Sequence, residues 1–256
     1  MRRVIRFLAR KRIINNSFCN WFWIKLKLDK KIADYVHHYN DFTLDDSKSL
    51  QVLSGYSEHP EVNEVLNAIK KKLNAHIIEI PTDSSVLDVG CGPALFLSEF
   101  KESHDKHGLD LMPEMIMLAK KTVPNGTFYI GDFLKLKIEQ KFQMISCIGL
   151  LIYINRSLIE DFFKKIHSLL ERDSILFLSY PHALEKRDLR FHDINYVQYS
   201  PVFIEKIVQD LFKVIEHKHV MDDRFVGKYD LHNYSHPIDS TRKYYKNSSI
   251  LILRKK

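Results

Sequence analysis

Val86-Leu87-Asp88-Val89-Gly90-Cys91-Gly92-Pro93-Ala94 is the most telling stretch of this chain. Apolar residues interrupted by one acid run into a turn with two glycines, the pattern of a buried strand that delivers its carboxyl end to a ligand. Glycines in such a turn let the backbone approach a bound molecule that any Cβ would push away. Three further pieces follow in order. His107-Gly108-Leu109-Asp110 is a second strand ending in an acid, Met112-Pro113-Glu114-Met115 opens a helix, and Gly131-Asp132-Phe133 places an acid after a third strand.

Around this core, strand and helix patterns alternate, which argues for an α/β fold with a doubly wound parallel sheet. Strands are expected at residues 85–89, 106–109, 127–130, 142–148 and 174–179, with helices at 94–101, 113–121 and 158–170 between them. Ahead of the sheet, Val62, Val65, Leu66, Ile69 and Leu73 follow the spacing of one helix face over residues 60–73. Ser57 and Pro60 are its start signals, and Lys70 to Lys72 suit the negative end of its dipole. Residues 77–80 read as a short strand or the approach to one. Ser200 and Pro201 open a helix carrying Ile204, Ile207, Val208 and Leu211. Residues 212–220 and 249–253 are the remaining strands.

The glycine turn and the pieces after it resemble the class I S-adenosylmethionine-dependent methyltransferases. The rival is the dinucleotide fingerprint GxGxxG, which also expects an acid about 20 residues on. Here Leu95 occupies the third glycine position, and Asp88 stands just before the turn. A pyrophosphate gains nothing from that carboxylate, whereas a ligand carrying a sulfonium and an ammonium is favoured by it. The resemblance implies a Rossmann-like seven-stranded sheet with the last strand antiparallel beside the fifth, S-adenosyl-L-methionine as cofactor, and methyl transfer as the reaction. By the same resemblance Gly90 and Gly92 line the methionine part of the cofactor, and Asp88 holds its ammonium directly or through water. Asp110 accepts the ribose hydroxyls, and Asp132 accepts the adenine amino group. Phe133 supplies a backbone NH or an apolar wall, and Gly149 completes the cofactor set.

The segment 142–154 departs from the family pattern twice. Gln143 replaces a frequent Asp, which reads as structural, and Ile152 replaces a frequent His, leaving Tyr153 as the nearest polar group. After the fifth strand, Ser179-Tyr180-Pro181-His182 leads into a polar stretch with Arg187, Arg190, His192, Asp193, Tyr196 and Tyr199. That connection opens on the ligand edge, so His182 or His192 is the candidate general base and Tyr153 or Tyr196 the group that orients the acceptor. Residues 181–200 and 221–247 are candidate lid or acceptor segments, the latter too long for a hairpin loop. His232 and His236 have the spacing of a helical metal pair, but Pro237 and the lack of a third ligand in register argue against a metal site. His217 and His219 share one face of a strand.

The expected acceptor is a small molecule methylated on oxygen, a sugar or another biosynthetic intermediate. A lipid-like or membrane-presented acceptor and a catalytically inactive cofactor-binding subunit are the alternatives. No Asn/Asp-Pro-Pro-aromatic tetrapeptide, which the resemblance ties to amino-group methylation of bases or glutamine, occurs in the chain, and those acceptors are disfavoured.

The chain has 256 residues, 45% of them hydrophobic, enough for one large domain or a domain with an appendage. Its net charge of +7 is unevenly spread. Residues 1–31 hold ten Lys or Arg and one acid, and the rest is slightly acidic, so a nucleic-acid partner is disfavoured. Residues 1–55 form a basic, aromatic-rich arm that suits peripheral membrane contact or packing as a helical extension of the catalytic domain at 56–256. The arm has no apolar run long enough to span a membrane and no signal-peptide pattern. Cys19, Cys91 and Cys147 make neither a disulfide framework nor a zinc motif, which points to reduced thiols and a cytoplasmic setting. Cys91 reads as packing in the turn.

Overall fold

From Val86 to Val89 the first strand, β1 (Ser85–Val89), is buried throughout, the condition of a strand flanked by parallel neighbours and covered on both faces. The computed structural model describes residues 60–182, 189–191, 196–220 and 248–256. The chain divides into two compact units, Met1–Leu53 and Ser54–Lys256, and the described residues lie in the second.

Along the chain come α1 (Pro60–Ile77), β1, β2 (Asp105–Asp110), α2 (Pro113–Thr122), β3 (Thr127–Ile130), β4 (Phe142–Ile148), α3 (Ile159–Leu169), β5 (Leu170–Pro181), β6 (Leu189–Phe191), β7 (Tyr196–Gln198), α4 (Pro201–Val208), β8 (Phe212–Val220) and β9 (Ser248–Lys255). The main sheet has seven strands in the order β3-β2-β1-β4-β5-β9-β8. The pairings from β3 to β5 are parallel, while β9 runs antiparallel to both β5 and β8. This is the seven-stranded arrangement implied by the resemblance. The order of strands reverses between β1 and β4, and in open parallel sheets ligands bind beyond the carboxyl ends at that point.

Alternation along the strands makes two cores. Val86, Met144, Phe177, Ile250 and Ile252 face Leu66, Ile69 and Leu73 of α1 and Ile116 and Ala119 of α2. Leu87, Val89, Ile145, Leu176, Leu178 and Leu251 face Phe162, Phe163 and Ile166 of α3 and Ile204 and Val208 of α4. Side chains of this size each contribute roughly 1.5–3 kcal/mol on full burial. Among the described residues no helix is long and apolar enough to cross a membrane.

Four local expectations change. Residues 94–101 form only a 3₁₀ turn at Leu97–Glu99, because Ala94 sits at φ +65 and cannot join a right-handed helix. α1 runs on to Ile77, so Lys70 to Lys72 lie inside it and residues 77–80 form its end and a turn. β5 begins at Leu170, immediately after α3, and extends to Pro181; it bulges where Asp173 takes φ +60. Within the polar stretch 181–200, β6 and β7 pair as a small antiparallel ribbon.

Gly108 shows how tightly the turn is set on the sheet. A Cβ there would meet the Phe128 ring at 2.7 Å and Cys91 Sγ at 2.9 Å. Gly108→Ala is therefore expected to destabilise the protein by about 1–3 kcal/mol in denaturant unfolding, the usual range for overpacking. An unchanged midpoint would show that the turn and β3 can move apart freely.

Candidate functional site

The turn after β1 is fastened to β2. The N–H groups of Gly90 and Cys91 both donate to the Leu109 carbonyl, at 2.7 and 3.0 Å, and Gly92 N–H donates to Asp110 Oδ2 at 3.0 Å. Asp110 Oδ1 in turn accepts from Met112 N–H at 2.8 Å, the residue that leads into α2. One carboxylate thus joins the glycine turn, the end of β2 and the start of α2. A carboxylate has about four lone-pair sites, so acceptor capacity remains for another donor. Gly90 and Gly149 need their glycines for different reasons. Gly90, at φ +77, lies against Leu150, whose Cδ1 would be 3.0 Å from an added Cβ. Gly149, at φ +71, has nothing within 4 Å of that position, so its backbone borders open space while its N–H is held by the Ser179 carbonyl at 2.9 Å.

Asp88 lies opposite Ser146 in the β1–β4 register and accepts its hydroxyl hydrogen bond at 2.7 Å. Burial pushes the Asp88 carboxyl up to about 7; the Ser146 bond pulls it back in part, and the negative charge of Asp110 raises it further. Burial also lifts Asp110, to about 6, against the lowering effect of the N–H groups of Met112, Gly92 and Leu111. Two neighbouring buried carboxylates make this edge a place where a bound cation is favoured. Cys91 is packed behind the turn, its thiol raised well above the ordinary range by burial and the two nearby acids, as suits a residue that fills space.

Asp132 follows β3, where its Oδ1 accepts from Leu134 N–H at 3.0 Å and Lys135 lies 3.2 Å from Oδ2. It therefore closes a local turn while remaining partly exposed. The Phe133 ring is buried edge-on to Phe162, with centroids 5.4 Å apart, in the core beneath the sheet edge. That placement removes the apolar-wall role considered for Phe133 and leaves its backbone N–H.

On the acceptor side, Gln143 lies at the amino end of β4, bonded to Glu171 and accepting from Ser174 at 3.1 Å, away from the ligand edge. Ile152 is buried in a 3₁₀ turn, Leu151–Tyr153, and Tyr153 beside it is half-buried. His182 does not stand open on the edge as the sequence suggests. It is buried, with Nδ1 3.0 Å from Ser249 Oγ, and bridges to Tyr199, whose hydroxyl donates to the Ile154 carbonyl at 2.7 Å. His192, His232 and His236 lie outside the described residues, as do residues 221–247. Ser146, the partner of Asp88, is a residue that sequence reasoning misses; a lone hydroxyl in the apolar run of β4 is its only signal.

Residues 86–173 match the family model described as a methyltransferase domain. The chain is 38% identical over 76 residues to dTDP-3-amino-3,4,6-trideoxy-alpha-D-glucopyranose N,N-dimethyltransferase of Streptomyces venezuelae, covering 28% of this chain and 32% of that protein. It is 30% identical over 89 residues to dTDP-4-amino-2,3,4,6-tetradeoxy-D-glucose N,N-dimethyltransferase of Saccharopolyspora spinosa, covering 34% and 33%. The matched stretch thus spans about a third of the length of these curated relatives. Among solved structures, an N-methyltransferase of Bradyrhizobium japonicum WM9 in complex with S-adenosyl-L-homocysteine superposes with a TM-score of 0.59 at 12% identity, covering 83% of this chain and 94% of that one. The 1,6-didemethyltoxoflavin-N1-methyltransferase of Burkholderia thailandensis gives 0.57 at 18% identity, covering 75% and 78%. Residues 86–173 are a methyltransferase domain, and the described residues have the fold of the class I S-adenosylmethionine-dependent methyltransferases.

Proposed function

We propose that this protein transfers a methyl group from S-adenosyl-L-methionine to a small-molecule acceptor. The observation that carries this reading is the Asp110 carboxylate at the end of β2, clamped between Gly92 N–H and Met112 N–H and so joined to the turn that follows β1, with open space beside the Gly149 backbone after β4. The residues fit the cofactor. Asp110 keeps lone pairs for the ribose hydroxyls, Gly90 and Gly92 admit the methionine part, and Asp88 supplies negative charge for the ammonium end. Asp132 and the Phe133 N–H serve the adenine. When bound, the cofactor supplies a methyl group on a positively charged sulfur. Much of the rate then comes from holding acceptor, methyl and sulfur in line.

His182 is the group proposed to take the acceptor's proton, and Tyr153 the one proposed to orient the acceptor. With an acceptor held in line with that methyl group, the His182 imidazole would take up the proton that the acceptor gives up. The curated relatives act, by name, on amino sugars carried on dTDP. That supports a sugar-like acceptor, and it favours nitrogen over the oxygen expected from the sequence. The test is uptake of labelled methyl from S-adenosyl-L-methionine into a panel of nucleotide-linked amino and hydroxy sugars, with mass spectrometry of the product. Labelling of hydroxy sugars alone would overturn the nitrogen assignment.

The two carboxylates give separate tests. Asp110→Asn, which keeps the shape and drops the charge, is expected to weaken S-adenosyl-L-homocysteine binding in calorimetry about 10- to 100-fold, the scale of a charge-assisted hydrogen bond of roughly 1.5–3 kcal/mol. An unchanged affinity would remove Asp110 from the cofactor site. For Asp88 the readout is pH. Its carboxyl is raised from 3.8 to about 7 on folding, so the folded protein binds a proton more tightly than the unfolded chain. The stabilising contribution of that proton is full below the unfolded value and is lost as pH rises to about 7, at up to about 1.4 kcal/mol for each step of one in pH. The thermal midpoint of Asp88→Asn relative to the native protein should therefore rise as pH climbs through this window. Affinity for the cationic cofactor should rise over the upper part of the same window as the carboxylates ionise. A flat difference between native and variant midpoints would place Asp88 in a less buried setting.

A further inference from the structure

The connection from β3 to β4 begins with a tight turn that carries Asp132 and Phe133. Gly131 N–H donates to the Asp110 carbonyl at 3.0 Å, which ties the start of the turn to the end of β2. The N–H groups of Lys135 and Leu136 both donate to the Asp132 carbonyl, and Leu134 N–H donates to Asp132 Oδ1, each at 3.0 Å. The chain folds back so closely that a Cβ on Gly131 would lie 3.3 Å from the Leu136 side chain. Three of the four residues after Asp132 thus turn their N–H groups in on it. Phe133 N–H is not one of these donors.

These bonds shape the turn and fasten it to β2, but none of them ties it to the helix alongside. Lys165 of α3 does so. Its ammonium donates to the Leu136 carbonyl and lies over the Phe133 ring, 5.2 Å from the centroid. Its charge is also attracted by Asp132. One half-buried cation therefore acts on the beginning, middle and end of the turn. The Phe133 ring is held to α3 twice, by Lys165 on its face and by the edge contact with Phe162.

Two neighbours show what is particular to Lys165. Lys164, one residue before it, is exposed and lies 4.0 Å from Glu160 on its own helix, the ordinary setting of a helix lysine. Lys135 pairs with Asp132 Oδ2 at 3.2 Å, but it is exposed and belongs to the turn, so it anchors the turn to nothing else. Lys165 instead gives up part of its hydration, and burial holds it below the ordinary lysine value.

We propose that Lys165 is a positioning residue for adenine recognition, holding the Leu136 carbonyl and the Phe133 ring from α3 so that the Asp132 carboxylate and the Phe133 N–H stand side by side toward the purine edge. This rests on the reading of Asp132 and Phe133 as the adenine contacts, and it names the group that makes them selective. Adenine offers an amino donor at C6 and an acceptor at N1. A 6-oxo purine offers the reverse, an acceptor at C6 and an N–H at N1. A fixed carboxylate and a fixed N–H match the first pattern and oppose the second. A turn that tilts freely discriminates poorly between them.

The test measures, by calorimetry on the full chain, the affinities of S-adenosyl-L-homocysteine and of its 6-oxo counterpart, S-inosyl-L-homocysteine. The native protein is expected to prefer the adenine form about 10- to 100-fold, because the oxo form leaves both protein groups facing like partners. Lys165→Met keeps the length of the side chain and removes its charge. In that variant the preference should shrink about 5- to 10-fold, mostly through weaker binding of the adenine form, and Lys165→Arg should restore it. Should Lys165→Met not fold, Lys165→Gln is judged by the same criterion. A lysine that serves only the fold lowers the thermal midpoint or weakens both ligands equally. A ratio as in the native protein, or an arginine variant no better than the methionine one, therefore overturns the proposal. A native protein that binds both forms equally overturns it too, by removing the adenine contacts while leaving cofactor binding in place. A folded native protein that binds neither form defeats the proposed function itself, and the assignment of Lys165 falls with it.

Discussion

The carboxylate of Asp110 holds the ligand edge together. By accepting from Gly92 N–H and from Met112 N–H, it ties a turn with three residues at positive φ to the end of the neighbouring strand and to the helix that follows. A turn of glycines alone would be loose, because glycine loses more backbone freedom on folding than any other residue. Charge-assisted bonds of this kind are about twice as strong as neutral ones, and here they are made in a buried setting where they are not diluted by water. Gly108 allows the arrangement from behind, by letting Cys91 and Phe128 close on the same point of β2.

The same edge carries a cost. Asp88 and Asp110 are both buried and both raised, and the charge of Asp110 adds to the rise at Asp88, so the protein by itself holds charge that its fold disfavours. Buried carboxylates whose charge the fold disfavours are found more at functional sites than in structural cores. The turn after β3 is supported from outside by Lys165 of α3, a half-buried cation bonded to the Leu136 carbonyl and set over the Phe133 ring. The attraction of Asp132 offsets part of the cost of burying its charge.

Much of this is legible in residue order. The strands at 127–130 and 142–148 and the start of the helix at Pro201 follow from local patterns, because apolar runs and proline act over a few residues. The departures have physical causes that can be named. The helix expected after the glycine turn is cut to one 3₁₀ turn by Ala94, whose positive φ is imposed by the turn and by no propensity of alanine. Phe133 reads as a backbone N–H donor or an apolar wall from its place after Asp132, but its ring packs on Phe162, much later in the chain. His182 reads as exposed because its neighbours are polar, while β9, which buries it, comes from the far end of the chain.

Neighbouring residues were enough to specify the alternating α/β architecture, the glycine turn and the three acids that close the first three strands, since strand periodicity and backbone sterics act between adjacent positions. Which hydroxyl faces Asp88, which carboxylate closes the glycine turn, and that Lys165 reaches the turn after β3 emerged with the folded chain alone. Those contacts join residues 18 to 58 positions apart. Such distances are set by sheet register and helix packing, which no single stretch of sequence specifies.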